Sequence, residues 1–252
     1  MTNCSIVNTP LEPNVKLSNE GILYECPYQE LIGSMMYLAV CSRPDIAFSV
    51  TYLSQFNKTH TKEHWLAAKR VLRYLKGTRT VGINYRKSNV SLSGFVDSDW
   101  ANNSSDRKSF YGFIFSLAGG PISWECQKQR TFALSSTEAE YIGITEAAKE
   151  SLYLTYLCKE IFENNVNCKF LFEGFPMVIF NDNQSAIKLS ENQVYHKRTK
   201  HIHVKYHFIR EKIANNDIQL KYMSTNEMVA DMLTKSLNSK KLQLICKNLN
   251  LK

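Results

Sequence analysis

The stretch Leu92-Ser-Gly-Phe-Val-Asp97-Ser-Asp99 alternates and then runs into an acidic turn, the pattern of a strand that carries carboxylates to its end. Downstream, Phe110 to Leu117 and Ile122 to Cys126 flank Gly119-Gly120, a hairpin signal. A long helix fits Ser135 to Phe162, with Ser135 or Ser136 available to cap it. Met177 to Phe180 is an apolar β-like run, followed by a helix from Asn183 to Ser190. A helix over Val204 to Asn215, a strand over Ile218 to Tyr222 and a helix over Asn226 to Leu237 complete the series. The order β-β-β-α-β-α-α-β-α is that of an α/β domain of about 145 residues, a mixed sheet flanked by helices.

A small helical unit precedes it. Pro27 to Cys41 carries Leu31, Met35 and Leu38 at helical spacing, and Ser42 with Pro44 starts a second helix through Ile46, Val50 and Leu53. Thr61 caps a third, in which Trp65, Ala68, Leu72 and Leu75 form an apolar stripe and Gly77 ends the run. Its other side holds Lys62, Lys69, Arg73 and Lys76, either a solvated face or a phosphate-contact surface. A short strand fits Val81 to Tyr85. The expected divisions are a loosely ordered leader at 1–26, the helical unit at 27–80, the α/β domain at 81–240 and a tail at 241–252.

Composition narrows the function classes. Of 252 residues, 44% are hydrophobic and 12% aromatic, enough for a buried core and too many for a disordered chain. The apolar runs fall short of the ~18–20 residues of a membrane span, and no signal peptide is visible, so a cytoplasmic or nuclear, non-secreted protein is expected. Seven scattered cysteines, without a Cys-x-x-Cys pair, argue against a disulfide framework or zinc ribbon. The net charge of +8 favours an anionic partner, nucleic acid first.

Four acidic positions interrupt apolar sequence at strand ends or early in helices: Asp97, Glu140, Asp182 and Asp231. Asp99 and Glu138 are neighbouring rivals for the first two. Each alone reads as a cap or a solvated acid. In the order strand-Asp, helix-Glu, strand-Asp, helix-Asp they can converge if the strands adjoin, and such a cluster suits two Mg²⁺ ions and phosphodiester hydrolysis.

These residues lie in blocks that resemble a known family. Phe95-Val-Asp-Ser-Asp-Trp-Ala, Asp106-Arg-Lys-Ser, Ile122-Ser-Trp, Lys128-Gln and Ala133-Leu-Ser-Ser-Thr-Glu-Ala-Glu-Tyr resemble the ribonuclease H domain of copia-type retrotransposon polyproteins. So do Asn181-Asp-Asn-Gln-Ser-Ala-Ile, Arg198-Thr-Lys-His-Ile, Tyr206-His-Phe-Ile-Arg-Glu and Ala230-Asp-Met-Leu-Thr-Lys. Leu31-Ile-Gly-Ser-Met-Met-Tyr-Leu, Arg43-Pro-Asp-Ile-Ala and Arg70-Val-Leu-Arg-Tyr-Leu-Lys-Gly-Thr look like the C-terminal end of the same element's reverse transcriptase.

The resemblance implies a ribonuclease H-like fold, with Asp97, Glu140, Asp182 and Asp231 as catalytic metal ligands. It implies two Mg²⁺ ions, replaceable by Mn²⁺, and endonucleolytic hydrolysis of the RNA strand of RNA–DNA hybrids during reverse transcription. The implied partners are the hybrid and the remaining reverse transcriptase domains, in a virus-like-particle context, without a membrane or a small-molecule cofactor. The alternative is a catalytically silent nucleic-acid-binding remnant, or an accessory piece active only beside a separate polymerase subunit.

Two departures stand out. The stretch Tyr222-Met-Ser-Thr-Asn-Glu-Met lacks the histidine that cellular ribonucleases H place before their last aspartate, which leaves Ser224 or Thr225 as weak substitutes. No Asp-Asp dipeptide occurs, so no polymerase activity is expected of this chain alone. The basic run from His196 to Lys212, including Lys197, Arg198 and Lys200, falls between the third and fourth acidic motifs and reads as phosphate-binding in preference to a solvated face. His201, His203 and His207 have neither a companion carboxylate of the His-Glu-x-x-His type nor a nearby cysteine, and make a poor zinc site.

Overall fold

A computed structural model describes residues 3–86, 91–101, 106–162, 176–191 and 203–252. The elements are α1 (Tyr28–Cys41), a 3₁₀ turn (Pro44–Ile46), α2 (Ala47–Ser54), α3 (Lys62–Gly77), β1 (Ser93–Asp99), β2 (Phe110–Leu117) and β3 (Gly120–Lys128). They continue as α4 (Ser136–Phe162), β4 (Met177–Asn181), α5 (Gln184–Glu191), α6 (His203–Ala214), β5 (Ile218–Tyr222), a 3₁₀ turn (Val229–Leu233) and α7 (Ser239–Asn248).

The five strands form one mixed sheet in the order β3-β2-β1-β4-β5. The hairpin pairs antiparallel, and β1 is the central strand, antiparallel to β2 and parallel to β4. β4 in turn runs parallel to β5. On one side, α4, α5 and α6 bury Val96, Phe113, Phe115, Ile179 and Leu220 against Tyr141, Ile144, Ala148, Ile187 and Ile209. Each such fully buried large side chain contributes about 1.5–3 kcal/mol.

The helical unit covers the other side. Its core joins α1–α3 to Phe110 and Ile114 of β2, the second 3₁₀ turn and α7. Trp124 Nε1 donates to Ala39 O at 2.8 Å, tying β3 to α1. Leu11 and Leu17 enter the same core, so the leader, whose described residues form no helix or strand, is anchored by packing. α7 forms where the sequence reads as a tail, burying Leu242 and Ile245, and Ile83 makes an isolated antiparallel bridge with Leu251.

Two apolar faces differ from the expected ones. α1 buries Tyr28, Ile32, Met35 and Ala39, leaving Leu38 38% exposed. α3 buries His64, Ala68, Val71 and Tyr74, while Trp65, Leu72 and Leu75 sit at the margin. Both helices carry more apolar residues than one stripe holds, and the stripe that faces inward is the one turned toward α2 and the partner helix. His64 is drawn in because it completes the cap: its Nδ1 accepts from Thr61 N at 3.0 Å and its ring lies 4.0 Å from that of Phe56. The helix expected over Asn226 to Leu237 is only the five-residue 3₁₀ turn. Among the described residues, no helix is long and apolar enough to cross a membrane, and the six described cysteines are free.

Candidate active site

β1 and β4 are parallel, with Phe95 opposite Phe180. Asp97 and Asp182 therefore each lie two residues further along neighbouring strand paths, at the C-terminal ends of these two interior strands, which are about 4.8 Å apart. Two glycines bring the other acids there. A Cβ on Gly143, one turn along α4 from Glu140, would meet Ser98 Oγ at 2.6 Å and Val96 Cγ2 at 3.3 Å, so glycine eases the close approach of α4 to β1. Gly112 pairs with Asp97 across the β1–β2 ladder, and a Cβ there would come within 2.4 Å of Leu233 Cβ. That bare strand surface seats the turn carrying Asp231.

The result is a cluster in which one carboxylate oxygen each from Asp97, Glu140 and Asp182 all lie within 4.8 Å of one another. Asp97 and Glu140 are buried and Asp182 is half-buried. Among the described residues this is the one group of three acids, histidines or cysteines with ion-holding spacing. Asp99 and Glu138 stand outside it. Glu138 turns back to its own helix start, accepting from Leu134 N at 2.9 Å while its backbone N–H donates to Ser135 Oγ at 3.1 Å.

Each clustered acid is held by a named partner. Asn181 Nδ2 donates to Glu140 Oε2 at 2.9 Å and to Val96 O at 3.1 Å, and its Oδ1 accepts from Asn183 N at 2.9 Å. Thr225 Oγ1 donates to Asp182 Oδ2 at 2.7 Å. The Thr234 hydroxyl donates to Asp97 Oδ2. Asp231, fully buried, pairs through Oδ1 with Lys235 Nζ at 2.8 Å and through Oδ2 with Lys241. Lys235 Nζ also lies 3.4 Å from Asp97 Oδ2. Asp231 thus joins the cluster through a lysine, by way of Asp97.

Burial and mutual repulsion govern the electrostatics. Loss of hydration raises the Asp97 carboxyl to about 6; Asp231 and Asp182 push the same way, against Lys235 and the Thr234 hydroxyl. Burial, then Asp97, raises Glu140 well above the carboxylate range despite the Asn181 hydrogen bond. Burial would lower the Lys235 ammonium, but Asp97 and Asp231 outweigh it and raise it. Three hard oxygen donors converging in a partly desolvated site suit a divalent cation of the Mg²⁺ type.

The basic residues are divided. Lys62 is exposed, and Lys69 Nζ stands 5.7 Å from the centroid of the Trp65 ring. Arg73 instead donates to Ser5 O at 2.7 Å and Ser5 Oγ at 2.8 Å, and Lys76 to Cys4 O at 2.8 Å. Half of the expected phosphate stripe therefore pins down the leader. Lys197, Arg198, Lys200 and His201 lie outside the described residues. Thr234, Lys235, Lys241 and Asn181 are site-forming residues that the reading of the acidic positions missed. Asn181 precedes Asp182 directly, which was its one local signal.

No model of a protein family matches the chain. It is 42% identical over 99% of its length to the "Retrovirus-related Pol polyprotein from transposon TNT 1-94" of Nicotiana tabacum, covering 19% of that protein. It is 39% identical over 94% of its length to the Pol polyprotein from transposon RE1 of Arabidopsis thaliana, covering 16% of it. Among solved structures it is similar to the N-terminal RNase H domain of a Mycobacterium tuberculosis protein, with 11% identity and a TM-score of 0.40 over 63% of this chain and 97% of that one. The chain spans less than a fifth of the polyproteins it matches along nearly its whole length. It belongs to the copia-type, retrovirus-related Pol polyproteins of transposons.

Proposed function

We propose that this chain is a ribonuclease H, hydrolysing the RNA strand of RNA–DNA hybrids endonucleolytically during retrotransposon reverse transcription. The observation that carries this reading is the convergence of Asp97, Glu140 and Asp182 at the C-terminal ends of β1 and β4. In this reading those three carboxylates hold divalent metal, Mg²⁺ or Mn²⁺, with Asp231 as the fourth acid of the set. Metal bound there would supply a polarised water and positive charge for the departing 3′-oxygen.

The chain's own residues prepare that chemistry. Asn181 aims Glu140 by donating to one of its oxygens, and Thr234 and Thr225 do the same for Asp97 and Asp182. Groups fixed before substrate arrives need no reorganisation during the reaction. Asp97 and Glu140, both raised by burial, must shed their protons before they can ligate metal, so activity should rise with pH as these carboxyls ionise. The hybrid would be selected by its shape and 2′-hydroxyls, not by base sequence. Lys62 and Lys69, with Lys197, Arg198 and Lys200, are the proposed phosphate contacts. Residues 27–80 are proposed to be the end of the reverse transcriptase, and 81–240 the nuclease domain.

The test is cleavage of a labelled hybrid with and without Mg²⁺, beside double-stranded RNA and double-stranded DNA. Cutting of the RNA strand of the hybrid alone, abolished by EDTA, supports the reading. Hybrid binding without cleavage at any Mg²⁺ or Mn²⁺ concentration supports the silent remnant instead.

A further inference from the structure

Besides its four acids, the site contains a lysine that no acid-cluster pattern calls for. Lys235 follows Thr234, whose hydroxyl is anchored on Asp97, and its Nζ reaches Asp231 Oδ1 at 2.8 Å and Asp97 Oδ2 at 3.4 Å. Lys241 closes the other oxygen of Asp231 and donates to Thr225 O at 3.0 Å, and Thr225 in turn holds Asp182. The cluster thus has an acid-only side, made of Asp97, Glu140 and Asp182, and a side already supplied with positive charge, between Asp97 and Asp231.

We propose that Lys235 is a positioning residue of the metal centre. Its ammonium occupies the place between Asp97 and Asp231 that a second divalent ion would need, so the free protein seats one ion and takes a second only when Lys235 withdraws. This rests on reading the acid cluster as a metal seat. An ammonium held between two carboxylates competes with a dication for the same oxygens, and its charge weakens the attraction of Asp97 and Asp231 for a second ion placed there.

Lys235 also has somewhere to go. It lines a groove of about 600 Å³ bounded by Lys16 of the leader, Asp99 and Trp100 beyond the acid edge, and Asn238 before α7. Its side chain is one-third exposed, while Thr234 fixes the backbone beside it. A phosphate of a nucleic-acid strand lying in that groove would offer the ammonium a new anionic partner. Substrate entry and completion of the metal pair would then be linked.

Calorimetric titration of the full chain with Mn²⁺, without nucleic acid, tests this in wild type, Lys235→Gln and Lys235→Arg. One ion per chain is expected for wild type and Lys235→Arg. Lys235→Gln should gain a second ion, or bind the first about tenfold more tightly or better, since a neighbouring positive charge is gone. A merely structural lysine would lower the urea midpoint on substitution and leave metal stoichiometry and affinity alone. Two ions in wild type, or wild-type stoichiometry and affinity in a folded Lys235→Gln, overturns the proposal. If Lys235→Gln does not fold, the wild-type count decides alone. One ion without hybrid cleavage keeps this proposal and defeats the ribonuclease H reading; two ions with cleavage does the reverse, and no ion at all defeats both.

Discussion

Replacing Asp97 with Asn should stabilise the metal-free protein at neutral pH, although it removes a group central to the site. Asp97 titrates at about 6 in the folded chain against an ordinary 3.8. A folded-state value above the unfolded one means that the native protein holds its proton more tightly. The stability linked to that proton is fully present below pH 3.8 and is lost as pH rises through 6. Integrated, the loss is about 3 kcal/mol once both states are ionised. Asn is neutral at every pH, nearly isosteric, and can still accept from Thr234. Its fit to Lys235 is poorer, and the net gain should be about 1–3 kcal/mol at pH 8, shrinking to near zero at pH 4. Urea unfolding in EDTA at those two pH values reads the effect directly. A variant less stable than wild type at pH 8, or a difference that does not change with pH, would show that Lys235 already compensates Asp97 and that the site stores no repulsion.

Asp182→Asn should reduce hybrid cleavage by orders of magnitude, while the EDTA melting temperature holds or rises slightly as repulsion among the acids is relieved; unchanged cleavage would place the activity elsewhere. Gly112→Ala puts a methyl into Leu233 and should cost about 1–3 kcal/mol in urea, with Mn²⁺ affinity falling as the turn bearing Asp231 and Thr234 is pushed outward. Wild-type stability would mean that the turn yields without strain. Lys62→Gln with Lys69→Gln should flatten the salt dependence of hybrid affinity by up to about two units of slope, leaving cleavage at saturating hybrid nearly intact. Arg73→Gln with Lys76→Gln should instead lower stability by about 1–2 kcal/mol by releasing the leader. If the second pair changes the salt slope as much as the first, those side chains leave the leader to meet the duplex.

The sheet was legible because its strands are short, alternating and separated by clear turn chemistry: Gly119-Gly120 marks the hairpin, and Ile218 to Tyr222 stands between polar neighbours. The order of the acids was legible for the same reason, since a strand end and a helix start are local features. Which face a helix buries is not local. On α1 and α3 two apolar stripes lie side by side, and Tyr28, Ile32 and Val71, not Leu31 and Leu72, are the ones buried where the two helices pack with α2 in the shared core. α7 escaped notice because its lysines dilute the Leu242–Ile245 spacing that docking makes decisive. Lys235 and Lys241 could not be assigned, because an exposed lysine and one that bridges buried acids look alike until the chain brings Asp97, some 140 residues away, beside them.

The measurement that bears most directly on the site is anomalous scattering at the manganese edge from crystals of the free protein grown with Mn²⁺. A peak within bonding distance of Asp97, Glu140 and Asp182 is the expected result, absent in crystals of Asp182→Asn at the same Mn²⁺ concentration. Manganese bound elsewhere, or a peak unaffected by that substitution, would contradict the assignment of these three carboxylates as the metal seat.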